Sequence, residues 1–508
     1  MLRGIDALPC EVEVHLSPHG LPQICVVGLP DAAIRESVER VRRAVEASGF
    51  EVPRHHVVVN LAPAGTRKEG SVYDLPIAMG VLFAAGTADP TREGTPQQSG
   101  WMIAGELALD GRLRPICGAV SAALLARAQG RGIIVPIENA IEASLVPDVR
   151  VVGARTLGEV VAFFRGEWMP SEGDPHESDS ASTEVVACEN AALTPVDFRE
   201  IKGQAVAKRA MLIAAAGGHN ALLLGPAGCG KTMLVRALAG ILPPLQAEEA
   251  LEVMRIGSCA GVPCVQHGRA GALKMPRPVR APHHGASATA IVGGGPSGRP
   301  GEITLAHHGV LFLDELPEFR RDVLEALREP LEGGVVSIAR ASGSIRWPAM
   351  TMLVAAMNPT ARGDRVVGGA GARAMSDYLG RISGPILDRI DLHVEVRRVS
   401  ARDLARLKPS TESGSMREQV QRARARSTAR QGATPNARLG VELLDSHCQL
   451  DGRAADLLTS GLDELGLSAR AHDKIRRVAR TIADLAGEST VSASCVSEAI
   501  QYRTLGGR

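Results

Sequence analysis

The chain has 508 residues, 57 Lys+Arg against 56 Asp+Glu, a formal net charge of +1 and 3% aromatic residues. Near-neutrality removes any whole-chain attraction to nucleic acid or an anionic surface, so a basic surface has to be local. Nine cysteines without a CxxC pair, Cys259 and Cys264 being the closest, speak against a disulfide framework. No segment reaches the ~20 apolar residues of a membrane helix, and a soluble cytoplasmic protein of about three domains is expected.

In chain order, the strand-like runs EVEVHL (11–16), PQICVVGL (22–29), HVVVNLA (56–62) and GIIVPI (132–137) alternate with helical patterns such as DAAIRESVERVRRAVEASG (31–49). Residues 171–185, SEGDPHESDSASTEV, are acidic, Ser-rich and poor in large apolar side chains, which predicts a linker. VDFREIKGQAVAKRAMLIAAAGG (196–218) reads as helix, and the apolar run Ala221–Leu224 then opens a second α/β region. From about residue 400 the strand patterns stop and long helices follow, so a third, all-α piece is expected. Within it, 416–431 carries Arg417, Arg422, Arg424, Arg426 and Arg430 against one glutamate. A solvated helix face is the first reading and a nucleic-acid or acidic-partner face the second.

GPAGCGKT, that is Gly225, Pro226, Ala227, Gly228, Cys229, Gly230, Lys231 and Thr232, fits G-x-x-x-x-G-K-[ST] between an apolar strand and a helix. Its glycines let backbone N–H groups close around phosphate oxygens, and the helix dipole attracts the anion. Lys231 would reach the β/γ-phosphates of ATP and the Thr232 hydroxyl would bind Mg²⁺. Cys229, at a helix N-terminus where a thiol pKa can fall, is read as a small tolerated loop residue. A second apolar strand, GVLFLDE, delivers Asp314 to hold Mg²⁺ through water and Glu315 to polarise the attacking water. A third, MTMLVAAMN, ends in Asn358, whose neutral amide can hold the lytic water without adding charge. Between the last two strands, Arg340 and Arg346 flank a turn at Ala341–Ser342–Gly343 in an alternating hairpin. Arg389, ahead of a strand, and Arg470, near the start of a helix, are candidates for completing a neighbour's site in a ring, or are ordinary surface or salt-bridge arginines. The pairs His283–His284 and His307–His308 lack an acid or cysteine at local metal-ligand spacing, so nucleotide-proximal or structural roles are expected.

GPAGCGKT, GVLFLDELPEF, AAMNP, SGPILDRIDLHVEV, LSARAHDKIRRVARTIADL, RAPHHGAS and RPGEITLAHHGV together resemble the magnesium-chelatase-like AAA+ ATPases of the ComM/YifB family, over nearly the whole chain. The resemblance implies an AAA+ core with a helical lid, a homo-hexameric ring, and ATP-driven branch migration on single-stranded or branched DNA. It makes Asn358 the sensor-1 residue, Arg389 the arginine finger and Arg470 the sensor-2 residue. It also places the hairpin of Arg340 and Arg346 in the ring's pore, facing phosphates, with a surface hairpin as the bland alternative. The segments 57–82 and 105–140 resemble the proteolytic domain of Lon. Aligned without gaps, the Lon serine falls on Val72 and its lysine on Val120, with Ser71 one position away, so a fold without the protease chemistry is expected. The expected division is a Lon-like domain over 1–168, an acidic linker over 169–190, the α/β ATPase core over 191–398 and a helical lid over 399–508. Family members carry cysteines after the MNP motif and this chain has none between 358 and 380, so no zinc is expected. The start at MLRGIDA lacks a first strand that relatives show, an expectation of a shortened edge or a misassigned start. The alternatives are a magnesium-chelatase-type motor subunit acting on a protein partner and a nucleotide-gated scaffold.

Overall fold

The computed structural model describes residues 1–17, 23–66, 68–88, 96, 100–169, 193–262, 275–295, 298–340, 343–359, 378, 380–382, 384–399, 412–466 and 468–503. The expected linker at 171–185 and most of the cysteine-free stretch after Asn358, residues 360–377 and 379, lie outside them, as does the side chain of Arg340. The chain forms two compact units. One holds Met1–Cys188, Ala247–Leu273 and Ile338–Arg346, and the other Glu189–Gln246, Lys274–Ser337 and Trp347–Arg508.

In the first unit, alternation along β1 (Glu11–Ser17) and β3 (His56–Ala62) gives each strand one apolar face. They pair antiparallel with Val14 opposite Val59, and β2 (Gln23–Val27) joins β3 in parallel on its other side. Val57, Val59 and Leu61 are fully buried with α1 (Ala32–Ala47) and α2 (Asp74–Ala84). Each such side chain is worth about 1.5–3 kcal/mol of apolar burial. The Asp31 side chain accepts the Ile34 N–H and starts α1 where the sequence places it. A second, parallel sheet orders β4 (Trp101–Ile103), β5 (Gly132–Pro136) and β6 (Val151–Ala154), with β5 central. The helix Ala247–Ala260, from the middle of the sequence, packs on α3 (Ala119–Ala128), where the Gly118 N–H bonds the Ser258 carbonyl at 3.0 Å.

The second unit is built on a five-stranded parallel sheet of β7 (Ala221–Leu224), β8 (Val279–Arg280), β9 (Val310–Leu313), β12 (Met352–Met357) and β13 (Leu392–Glu395), in the order β8-β9-β12-β7-β13. ALLL, VLFL and MLVAAM are buried throughout because both faces of such a sheet are covered. Between β9 and β12 the chain runs through the two-stranded hairpin β10 (Val335–Arg340) and β11 (Gly343–Pro348). The helical reading of 196–218 needs correction. Gly203 and Gln204 adopt φ 67° and 56°, two consecutive left-handed residues that a right-handed helix cannot continue through, so α4 runs only over Ala205–Gly217. The P-loop leads into α5 (Lys231–Ile241).

The helical end of the unit includes α6 (Ser413–Gln431), the helix Gly452–Leu465, α7 (Ala469–Ala486) and the helix Ala493–Gln501. The arginines of α6 are largely engaged inside the unit. Arg417 donates to the Gly240 carbonyl, Arg424 to that of Ala215 and Arg426 to that of Asp484, while Arg430 pairs with the Asp484 carboxylate at 2.6 Å. The first two are end carbonyls of helices α5 and α4, where cationic side chains complement the helix dipole.

Candidate nucleotide site

Register places the candidate site at the carboxyl edge of the sheet, where ligands of open α/β sheets bind. Leu224 pairs with Met357 and Leu313 with Ala355, so the P-loop, Asp314 and Asn358 leave their strands side by side. The loop requires its glycines. A Cβ on Gly225 would come within 2.2 Å of the Val396 carbonyl oxygen, and Gly230 holds φ 96° at the start of α5. Lys231 is buried and donates to the carbonyls of Gly225 (2.6 Å) and Pro226 (3.0 Å) and to Asn358 Oδ1 (3.0 Å). The structure therefore joins the P-loop lysine directly to the residue read as sensor 1. Thr232 Oγ1 donates to Asp314 Oδ2 at 3.2 Å. Two hard oxygen donors at one point fit an Mg²⁺ ion carrying water and phosphate ligands.

Glu315 sits in the left-handed region at φ 53°, ψ 48°, on the order of 1–3 kcal/mol of strain for a residue with a side chain. Its N–H bonds Asp314 Oδ1 at 2.9 Å, and the turn carries its carboxylate to 3.4 Å from His284 Nδ1. His284 stacks on His283 at 4.0 Å between ring centres. The histidine pair of RAPHHGAS thus stands beside the proposed water-activating group, an assignment that local spacing could not make because the two segments meet only in the folded chain. Gln204 belongs to none of the motifs. Its amide donates to the Cys229 carbonyl (3.3 Å) and the Arg397 carbonyl (2.6 Å), fixing the P-loop to the chain beyond β13. Cys229 is buried, with its sulfur 4.0 Å from Lys231 Nζ.

Arg389 lies elsewhere. Ala221 pairs with Leu392, so Arg389, three residues earlier, is at the amino edge of the sheet, opposite the P-loop. It donates to the Arg328 (3.2 Å) and Pro385 (2.8 Å) carbonyls and pairs with Glu332. Arg470 is an exposed residue in the first turn of α7. One turn later, Lys474 Nζ bonds Asp391 Oδ1 at 2.7 Å, which puts that end of α7 at the same amino edge. Burial alone would raise the Asp391 carboxyl, but Lys474 and His219 together hold it below the ordinary carboxylate range. Arg346 is exposed on the hairpin, whose tip belongs to the first unit. There Arg3 Nη2 approaches the Ser344 carbonyl at 3.5 Å. In the same unit the Ser71 hydroxyl donates to the Glu106 carboxylate, and Val120 is buried in α3.

Three family models match in series: Subunit ChlI of Mg-chelatase over residues 12–139, Magnesium chelatase, subunit ChlI over 197–404, and Magnesium chelatase, subunit ChlI C-terminal over 410–503. The sequence is 42% identical to Competence protein ComM of Haemophilus influenzae over 99% of this chain and 96% of that protein. The chain belongs to the magnesium-chelatase-like ComM/YifB family. It is also 42% identical to an uncharacterized YifB protein of Salmonella typhimurium, over 99% of this chain and 95% of that one. A magnesium-chelatase 38 kDa subunit of Cereibacter sphaeroides is 29% identical across 41% of this chain and 60% of its own length. The parallel sheet of the second unit, with its order and P-loop, is consistent with an AAA+ core for this ComM/YifB-family chain. Among the described residues no helix is long and apolar enough to cross a membrane.

Proposed function

We propose that this ComM/YifB-family chain is an ATP-hydrolysing motor that assembles as a ring, a homo-hexamer by family resemblance, and moves on DNA. The observation that carries the reading is the division of parts between the two edges of one sheet. Lys231, Thr232, Asp314, Glu315 and Asn358 converge at the carboxyl edge, while Arg389 stands at the amino edge. A strand of four residues spans about 13 Å, so Arg389 serves a site on a neighbouring subunit rather than its own. Lys231 binds phosphate oxygens and Asn358 orients the lytic water. Glu315 takes the proton as that water attacks. Thr232 and Asp314 would hold Mg²⁺, which when bound neutralises phosphate charge.

The DNA part rests on the resemblance and on the arginine-bearing hairpin, and the engagement of the α6 arginines inside the unit leaves the hairpin as the better DNA candidate. ATP hydrolysis measured with and without single-stranded and forked DNA tests the reading, with stimulation by DNA as the expected result. Replacing Arg340 and Arg346 with alanine should weaken DNA binding for all sequences alike. It should also make log affinity fall less steeply with log salt, the slope easing by about one for each phosphate no longer neutralised. Basal hydrolysis should persist and its stimulation by DNA disappear. Parent affinity in the double variant at two salt concentrations would place the DNA-binding surface elsewhere.

For the first unit we propose a Lon-like fold without protease chemistry, serving docking or ring stability. The apolar side chains of Val72 and Val120 can neither attack nor activate, and the Ser71 hydroxyl is engaged by Glu106. No cleavage of unfolded protein substrates with ATP is expected. Cleavage that vanishes in Ser71→Ala would overturn this. A magnesium-chelatase-type motor acting on a protein partner is the second reading, favoured by the three family matches. It predicts hydrolysis that is indifferent to DNA.

A further inference from the structure

His219, Asn220, Asp391 and Lys474 form one polar knot at the amino edge of the sheet. Asp391 accepts from Lys474 Nζ at 2.7 Å and from the Asn220 N–H at 3.2 Å, with His219 Nδ1 at 3.4 Å. Asn220 reaches two further ways. Its amide nitrogen donates to the Arg389 carbonyl at 2.9 Å, and its amide oxygen accepts the Leu353 N–H at 2.8 Å. On the far side of the imidazole, His219 Nε2 meets Thr481 Oγ1 on α7 at 2.7 Å. The ion pair is nearly sequestered, with 12% and 10% of the Lys474 and Asp391 side chains exposed.

In a buried ion pair most of the attraction is offset by the loss of hydration, so the pair is weak support for stability. What it does well is fix geometry, and the segments it joins are specific. Asn220 runs directly into β7 and the P-loop. Leu353 belongs to β12, which ends just before Asn358. Asp391 follows Arg389 by two residues, and Lys474 follows Arg470 by one helical turn on the same face of α7. We infer that Asp391 and Lys474 are positioning residues: their pair locks Arg389 and Arg470 together as one unit at the amino edge, and Asn220 references that unit to the subunit's own phosphate loop. Neither residue touches the P-loop, Asp314, Glu315 or Asn358, which leave the opposite ends of their strands. The inference rests on the shared-site ring proposed above.

The test uses the full chain with Lys474→Met, and with the double variant Asp391→Asn, Lys474→Met, which removes both charges of the pair together. Binding of a fluorescent ATP analogue and ring formation should match the parent. The kcat should fall at least ~10-fold with KM within about twofold, the pattern of weakened transition-state stabilisation with substrate binding intact. Mixing either variant with Lys231→Ala subunits, whose knot is intact, should restore turnover, as it should for Arg389→Ala. A purely structural defect in the variant subunit would not be repaired by a neighbour. Parent-like turnover in the double variant overturns the inference, and so does rescue of Arg389→Ala without rescue of the double variant. Failure to rescue Arg389→Ala itself, with mixed rings verified, removes the shared-site reading and this inference together.

Discussion

Glu315→Gln should leave ATP binding intact and cut hydrolysis by at least ~10²-fold. The substitution keeps the shape and the left-handed backbone of the residue, and removes only the capacity to accept a proton from water. On the proposed reading, binding falls to Lys231, the loop N–H groups and the Thr232–Asp314 pair, whose recorded bonds do not involve the Glu315 carboxylate. Lys231→Ala should show the opposite pattern. Lys231 holds the Gly225 and Pro226 carbonyls as well as Asn358, so its loss loosens the loop and removes the charge that meets the phosphates, and nucleotide affinity itself should drop. Equilibrium binding of a fluorescent ATP analogue beside single-turnover hydrolysis separates the two. Hydrolysis at the parent rate in Glu315→Gln would show that another group activates the water.

If Arg389 completes a neighbour's site as proposed, Arg389→Ala subunits should bind ATP, oligomerise as the parent does and hydrolyse poorly. Arginines that act this way supply on the order of 10³–10⁵ in rate. In the single subunit Arg389 is paired with Glu332, whose side chain is 64% exposed, and a pair with so exposed an acid is a weak restraint. Mixing Arg389→Ala with Lys231→Ala should restore part of the activity. Some interfaces then join an intact P-loop to an intact Arg389, although neither variant alone has such an interface. Titrating the ratio while following phosphate release checks this, and turnover should pass through a maximum at intermediate mixtures. No recovery at any ratio in verified mixed rings would place Arg389 in its own subunit's packing.

The nucleotide loop is legible residue by residue because its chemistry is local. Gly225 to Thr232 are contiguous, their glycines answer to the backbone geometry of the turn, and the flanking apolar strand and helix are set by short-range pattern. The position of Asp314 and Glu315 is equally plain, since a fully apolar run followed by two acids marks the end of a buried strand. The strands Glu11–Ser17 and His56–Ala62 and the helix behind the Asp31 cap follow from alternation and capping in the same way. What local pattern does not decide is every relation made by strand order and register. Only the pairing of β7 with β12 brings Asn358 to Lys231, and only the parallel register of β7 with β13 sends Arg389 to the edge away from the P-loop. His284 reaches Glu315 and Lys474 reaches Asp391 although each pair is far apart along the chain. The charge of Arg417, Arg424, Arg426 and Arg430 reads from sequence as a possible binding face, yet most of it is taken up by helix-end carbonyls and Asp484. Composition records that a charge exists, but its partner is chosen by packing, and packing is a property of the assembled chain.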